Sequence, residues 1–349
     1  MTATMRAARF DAAGRSLRVL DVPVPEPGPT EVLVRVEACG ICLSDVHLLD
    51  GSLPGPLPVV TPGHEAAGTV AAVGALVPGW TPGDRVVLAA GRPCGRCRWC
   101  TRGLHSSCEA FEIMGFGFDG AWAQYVVVPG GALSAVPDGV PLEQAAVLAD
   151  AVSTPYAALT TRAGLRAGEA VGLWGIGGLG VHAVQIARLV GASPVLAVDP
   201  RPSARERALS LGADVALDPV EEDVVARVRE LTDGRMLDVA VDLVGANAVL
   251  AQAASCLGRY GRCVMVGLSL EPVQLGPGLL FGLLGQSLLG HLGYEKRHLD
   301  ELVALVASGR LDVSRSVSDV LPLEDVGRGV ERLATKQGDP VRLLVQPWA

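Results

Sequence analysis

The sequence predicts an α/β protein in which a β-rich part is followed by a doubly wound parallel sheet. Three observations carry the prediction. At 349 residues the chain exceeds the usual single-domain range, and its 49% hydrophobic content can fill two cores. Residues 1 to about 150 hold short Val-rich runs between Pro/Gly turns. Beyond Asp150, strand-like and helix-like patterns alternate, the signature of parallel strands joined by crossover helices.

In the first part, EVLVRVEA (31–38), GTVAAVG (68–74), DRVVLAA (84–90) and AQYVVVP (123–129) read as strands. The turns between them include PEPGP and GWTPGD, so a small barrel or sandwich is expected. LEQAAVLADAVSTPYAAL (142–159) then reads as a helix. EAVGLWGIGG is a strand entering a glycine turn, GVHAVQIARLVGA a helix and PVLAVDP a strand. SARERALSLGA and EDVVARVRELTDG read as helices, and MLDVAVDLVG and YGRCVMVGL as strands. After Tyr294 come a helix, LDELVALVASG, and a final strand, VRLLVQP. The run from Pro272 to Tyr294 lacks charge and is about as long as a bilayer span, but its Pro, Gln, His and glycines argue for a buried or subunit-facing strand and loop region.

Cys94, Cys97, Cys100 and Cys108 stand in CGRCRWCTRGLHSSC, with spacing C-x2-C-x2-C-x7-C. Four thiolates this close in one loop can hold a zinc ion tetrahedrally with no position open for chemistry. A disulfide framework is disfavoured, because such spacing cannot staple distant segments and MTATMRAARF has no apolar signal core. The cysteines are therefore read as thiols or ligands of a cytoplasmic protein.

A looser set surrounds ACGICLSDVH (38–47) and PGHEAAG (62–68). Cys42 offers a thiolate, His64 an imidazole and Asp150 a carboxylate, the three protein ligands of an open catalytic zinc site. Glu65 adjoins His64 and is either a fourth ligand or an anchor behind the first three.

In GIGGLG, the residues Gly175, Ile176, Gly177, Gly178, Leu179 and Gly180 close an apolar strand and open an apolar helix. That context makes the motif a dinucleotide-binding turn, with the pyrophosphate on the helix N-terminus. Asp199 ends the next strand, 19 residues beyond Gly180. A carboxylate there accepts the ribose hydroxyls and repels a 2′-phosphate, favouring NAD over NADP, although Arg201 and Arg205 follow closely.

CGICLSDVH, GHEAAGTV, the four-cysteine loop, GIGGLG and Asp199, in this order and spacing, resemble the zinc-dependent medium-chain alcohol dehydrogenases over essentially the whole chain. The resemblance implies a GroES-like β-rich catalytic domain (1–151 and 292–349, with the structural zinc loop at 91–110) and an NAD-binding Rossmann domain (152–291). It makes Cys42 and His64 zinc ligands, with Asp150 standing where the family often has Cys. By the same resemblance Ser44 hydrogen-bonds the substrate oxygen, His47 carries the proton onward and Arg342 contacts the pyrophosphate. Leu43 replaces the basic residue often found beside the ligand cysteine.

The expected reaction is reversible hydride transfer between an alcohol and NAD, with two zinc ions per chain. The other readings are a C=C or C=N reductase on the same scaffold and a non-catalytic zinc- and nucleotide-binding protein. The partner is a small alcohol or carbonyl compound. The net charge of −8 and the lack of a Lys/Arg block exclude nucleic acid and anionic membranes. The charge-free segment near 273–294 suits an edge strand meeting its counterpart in a homodimer or homotetramer. None of the four tyrosines has Lys at the fourth following position, which excludes a short-chain dehydrogenase mechanism.

Overall fold

A computed structural model describes residues 3–275 and 278–349. Gly276 and Pro277, in the charge-free segment, lie outside the described residues, as do Met1 and Thr2. The chain forms two units: Met1–Ser153 with Glu295–Ala349, and Thr154–Tyr294.

The first unit is built on a seven-stranded sheet. Its central strand, Glu31–Ile41, buries Val32, Val34 and Val36 and leaves Arg35 and Glu37 only partly covered, the period-two alternation of a strand with one face on a core. Ala66–Val73 and Tyr125–Pro129 pair with it antiparallel. The C-terminal strand Arg342–Gln346 also pairs with it, setting Leu343 opposite Ile41 and Val345 opposite Cys39. Residues some 300 positions apart in sequence are thereby placed side by side. A three-stranded sheet of Ser16–Pro23, Thr4–Asp11 and Val59–Val60 and a two-stranded one of Gly91–Arg92 and Glu112–Ile113 complete the β-rich unit.

Trp122 lies wholly inside this unit's core, packed with Leu88, Met114 and Val126, and its Nε1 donates to the Gly40 carbonyl at 3.2 Å. Burying an indole removes about 200 Å² from water, roughly 5 kcal/mol at 25 cal/mol per Å². Trp122 is therefore a core residue of this unit.

The second unit is a six-stranded parallel sheet. In space its strands run Val215–Leu217, Val195–Val198, Val171–Trp174, Leu237–Asp242, Leu257–Met265 and Ser287–Gly290. Numbered along the chain this is 3-2-1-4-5-6, the doubly wound dinucleotide-binding order. Val171–Trp174 and Val195–Val198 are buried at every position, as expected of strands covered on both faces.

Three local features depart from the sequence reading. A short strand, Val215–Leu217, separates the two predicted helices at 203–234, too brief to stand out as a pattern. The stretch 142–159 is not one regular helix: π-helical turns at Leu148–Val152 and Ala158–Arg162 interrupt Leu142–Val147 and Ser153–Ala157. The charge-free segment contains a helix, Gly278–Leu284, before its edge strand Ser287–Gly290. Among the described residues no helix is long and apolar enough to cross a membrane.

Candidate active site and metal centres

Cys42 ends the central strand's run and caps the helix Leu43–Asp50 with an extended backbone (φ −104°, ψ 158°). Asp45, three residues on, accepts the Cys42 N–H through Oδ2 at 2.9 Å, fixing the turn that presents the thiol. His64 arrives from the turn before Ala66–Val73, and Asp150 sits on the π-helical turn Leu148–Val152. Such turns, with one residue too many for an α-helix, recur at functional sites because they re-aim a side chain.

The donor atoms of Cys42, His64 and Asp150 all lie within 4.8 Å of one another. Cys42 Sγ is 3.3 Å from Asp150 Oδ2, and His64 Nε2 is 3.9 Å from the same oxygen. Ligands of a tetrahedral zinc are expected about 3.4–3.6 Å apart for S–O and N–O pairs. A mixed sulfur, nitrogen and oxygen set with three donors fits zinc with a fourth position for water or substrate.

His64 is 6% exposed, and its Nδ1 faces Asp45 Oδ1 at 3.3 Å. Burial lowers the imidazole's proton affinity, but the Asp45 carboxylate and then Cys42 outweigh it, and the pKa stands well above the usual value. The same carboxylate orients the ring so that Nε2 points toward the thiol and Asp150. Phe116 packs edge-on against His64 at 5.8 Å and covers the ring.

Ser44 Oγ is 3.3 Å from His64 Nε2, at the rim of the donor set. His47 lies one helical turn further on, with Nδ1 2.9 Å from Ser52 Oγ and 3.8 Å from Asp50 Oδ2. Glu65 falls outside the three-donor group. It is fully buried, accepts the Ala151 N–H at 2.9 Å and faces Arg342 Nε at 3.3 Å. Burial raises its carboxyl to about 8, against the opposing pull of Arg342. Arg342 is itself 2% exposed and donates Nη1 to the Ile41 carbonyl at 3.0 Å, so much of its guanidinium serves the chain beside Cys42. Cys39 is a fully buried thiol whose burial pushes its pKa well up, as a non-ligand should be.

Cys94, Cys97, Cys100 and Cys108 also lie within 4.8 Å of one another. Cys97 and Cys100 are 3.6 Å apart, close to the ~3.8 Å between sulfurs bound tetrahedrally at 2.3 Å. Main-chain N–H groups of Cys94, Cys97 and Ala110 donate to the sulfurs at 3.2–3.4 Å. The N–H groups of Cys100 and Glu109 hold the Cys97 thiol down to about 6, whereas burial and neighbouring thiols push Cys100 up to about 12. A divalent cation removes that conflict, since it favours every thiolate at once.

Glu295 anchors this loop, a role not evident from the sequence. It accepts the N–H groups of His105 and Ser106 at 2.9 and 3.2 Å and the Ser106 hydroxyl at 2.6 Å. It also begins the helix Lys296–Ala307. Asp45 was likewise unassigned, although its place three residues after Cys42 in a capping pattern was a signal.

In the second unit, the glycine turn joins Val171–Trp174 to the helix Gly180–Val190. Gly175 has φ +90°, and a β-carbon on Gly180 would collide with the Gly175 carbonyl. Nothing stands within 4 Å of where a β-carbon on Gly177 would be, which leaves room for a pyrophosphate against bare backbone. Asp199, 3% exposed, accepts the Ile176 N–H at 2.8 Å and so ties the end of its strand to the turn. Arg201 keeps its carboxyl below the usual range despite the opposing effect of burial.

The β-rich unit with two metal-type clusters and the parallel sheet with its glycine turn define a zinc-binding, nucleotide-dependent dehydrogenase. Residues 28–138 match the alcohol dehydrogenase GroES-like domain, and residues 178–308 match the zinc-binding dehydrogenase domain. An alcohol dehydrogenase of Geobacillus stearothermophilus is 33% identical over 336 residues, covering 95% of this chain and 97% of the relative. The alcohol dehydrogenase TADH from Thermus sp. ATN1 superposes with a TM-score of 0.91 at 35% identity, covering 98% and 99% of the two chains. A zinc-binding dehydrogenase from Sinorhizobium meliloti 1021, solved with NADP, gives 0.92 at 30% identity, covering 99% and 100%. The chain belongs to the zinc-dependent medium-chain dehydrogenase/reductase family, with a GroES-like and a Rossmann domain. It is an oxidoreductase that uses zinc and a nicotinamide cofactor.

Proposed function

We propose that the protein is a zinc alcohol dehydrogenase that interconverts a primary, secondary or polyol alcohol and its aldehyde or ketone, with NAD as the preferred cofactor. The observation that carries this reading is the convergence of Cys42, His64 and Asp150 on one point, with the Ser44 hydroxyl 3.3 Å from His64. Zinc, when bound, supplies Lewis acidity toward a substrate oxygen, and the nicotinamide supplies or takes the hydride.

The chain's own groups do the rest. Cys42, His64 and Asp150 hold the metal, and Glu65 stands behind them, bonded to Ala151 and Arg342. Ser44 takes the proton released by the alcohol and His47 passes it on, its ring steadied by Ser52. Phe116 shields the His64 side from water. Cys94, Cys97, Cys100 and Cys108 hold a second, structural zinc, making two per chain. The glycine turn from Gly175 to Gly180 receives the pyrophosphate. The family resemblance gives Arg342 a contact to the pyrophosphate, whereas its guanidinium is buried against Glu65 and the Ile41 carbonyl. Asp199 accepts the ribose hydroxyls.

We also propose a homodimer or homotetramer formed through the open edge strand Ser287–Gly290. All eight cysteines are unbridged, which suits the cytoplasm.

The test is a panel of alcohols and carbonyls assayed by nicotinamide absorbance with NAD(H) and NADP(H), alongside metal analysis. The reading expects turnover, about two zinc ions per chain, and loss of turnover with one of them in Cys42→Ala. No turnover across the panel together with a single zinc would refute it.

A further inference from the structure

The helix that carries Ser44 and His47 ends in the run Asp50, Gly51, Ser52. Gly51 takes the left-handed conformation at the helix end (φ +78°), and the chain doubles back so that Leu53 N donates to the His47 carbonyl at 2.9 Å. Asp50 Oδ1 accepts the Ser52 N–H at 2.8 Å, the local turn that an Asp side chain makes with the backbone two residues on. This turn brings two side chains to one edge of the His47 ring. Ser52 Oγ lies 2.9 Å from Nδ1, and Asp50 Oδ2 lies 3.8 Å from the same nitrogen.

The chemistry of those two partners decides which ring nitrogen carries the proton. An ionised carboxylate can only accept, so Asp50 favours a proton on the nitrogen that faces it. The Ser52 hydroxyl is the main cause that holds the Asp50 carboxyl below its usual range, against the effect of burial, with the Ser52 N–H, His47 and Arg15 adding to it. A hydroxyl has one proton; turned toward Asp50, it presents a lone pair to Nδ1. Nδ1 then carries the ring proton and Nε2 is left as the basic nitrogen. Arg15 is the other charged group at this turn: a β-carbon on Gly51 would come within 2.9 Å of its Nη2.

We infer that Asp50 and Ser52 are positioning residues for proton transfer: a hydrogen-bond chain from Asp50 through Ser52 to His47 holds the ring as its Nδ1–H tautomer, with Nε2 bare. Ser44 and His47 stand one helical turn apart, on the same face of their helix. A proton arriving from the Ser44 side needs a nitrogen with a free lone pair. In each turnover Nε2 gains that proton, and the imidazolium then gives one proton to water, so the ring ends neutral as it began. A carboxylate that sets the tautomer of a catalytic histidine is a known device; here a hydroxyl stands between the two.

The inference rests on the role proposed above for His47, and the test lets the two fail separately. Zinc-loaded full-length protein, with histidine enriched in the heavy nitrogen isotope, is examined by long-range proton–nitrogen correlation NMR. The spectra are taken at about pH 8, where an ordinary imidazole is neutral, and His47→Asn assigns the signals. The wild type is expected to show His47 as the Nδ1–H tautomer. Ser52→Ala and Asp50→Asn are expected to move it toward the Nε2–H form. With NAD and the alcohol of the panel turned over fastest, both variants are expected to lower kcat about twofold to tenfold, the effect of one neutral hydrogen bond, with little change in KM. Ser52→Thr keeps the hydroxyl and is expected to restore tautomer and kcat together. An Nε2–H tautomer in the wild type, an unchanged tautomer in both variants, or a shifted tautomer with kcat unchanged overturns the role of Asp50 and Ser52. Turnover by His47→Asn equal to that of the wild type overturns the role of His47 itself.

Discussion

Asp45 donates nothing to a metal in the proposed scheme, yet both its oxygens serve the site. One fixes the Cys42 backbone and the other faces His64 Nδ1, at 2.9 and 3.3 Å. Partners behind metal ligands commonly contribute 10–100-fold in affinity. Asp45→Asn is accordingly expected to lose the catalytic zinc about 10–100-fold more readily to a chelator, with the four-cysteine metal retained; metal analysis after graded chelator dialysis reads the difference. Equal retention in variant and wild type would discard that role. The candidate ligands were legible in sequence because chemistry restricts which side chains can bind zinc. The partners behind them were not, because a carboxylate in a capping position looks the same whether it holds a helix or a ligand. Trp122 shows the converse: that this aromatic is a core residue is decided by packing.

At the scale of elements, one departure from the predicted pattern, the π-helical turn within 142–159, falls where the site is built. Apolar periodicity across 142–159 supports a helix, but only the backbone path shows the π-helical turn that carries Asp150. The helix Leu43–Asp50 was hidden because it is short and mixed in polarity, although it positions Ser44 and His47. Glu295 links two elements distant in sequence, the loop containing Cys108 and the start of Lys296–Ala307. Its three bonds hold the segment leading into Cys108, so the loop's metal site depends on it. Glu295→Ala is expected to release the structural zinc about tenfold or more faster to a chromogenic chelator and to lower the melting temperature, with the catalytic zinc lost later. Release at the wild-type rate would show that the loop closes without Glu295.

For the whole molecule, strand order determines what meets what. The return of Arg342–Gln346 beside Glu31–Ile41 brings Arg342 to Glu65. The order 3-2-1-4-5-6 leaves Ser287–Gly290 at one edge of the parallel sheet. Just before it, Leu279, Leu280 and Leu283 on the helix Gly278–Leu284 are 73%, 54% and 65% exposed. An open edge beside an apolar surface invites pairing between copies. Leu283→Glu is expected to shift the oligomer toward monomer at micromolar concentration, read by sedimentation velocity, with zinc content unchanged. A wild-type protein that sediments as a monomer would remove the proposed interface.

By itself the sequence determined the fold class, the two metal-type clusters and the dinucleotide turn. These rest on short-range rules: residue spacing, strand and helix periodicity, and the few side chains able to ligate a metal. Only the tertiary structure decided that Glu65 pairs with Arg342 outside the three-donor group, that Asp45 and Glu295 support the two clusters, and that Arg201 occupies Asp199. Each of those pairings depends on a burial or an orientation set by the backbone's path, which residue spacing does not encode.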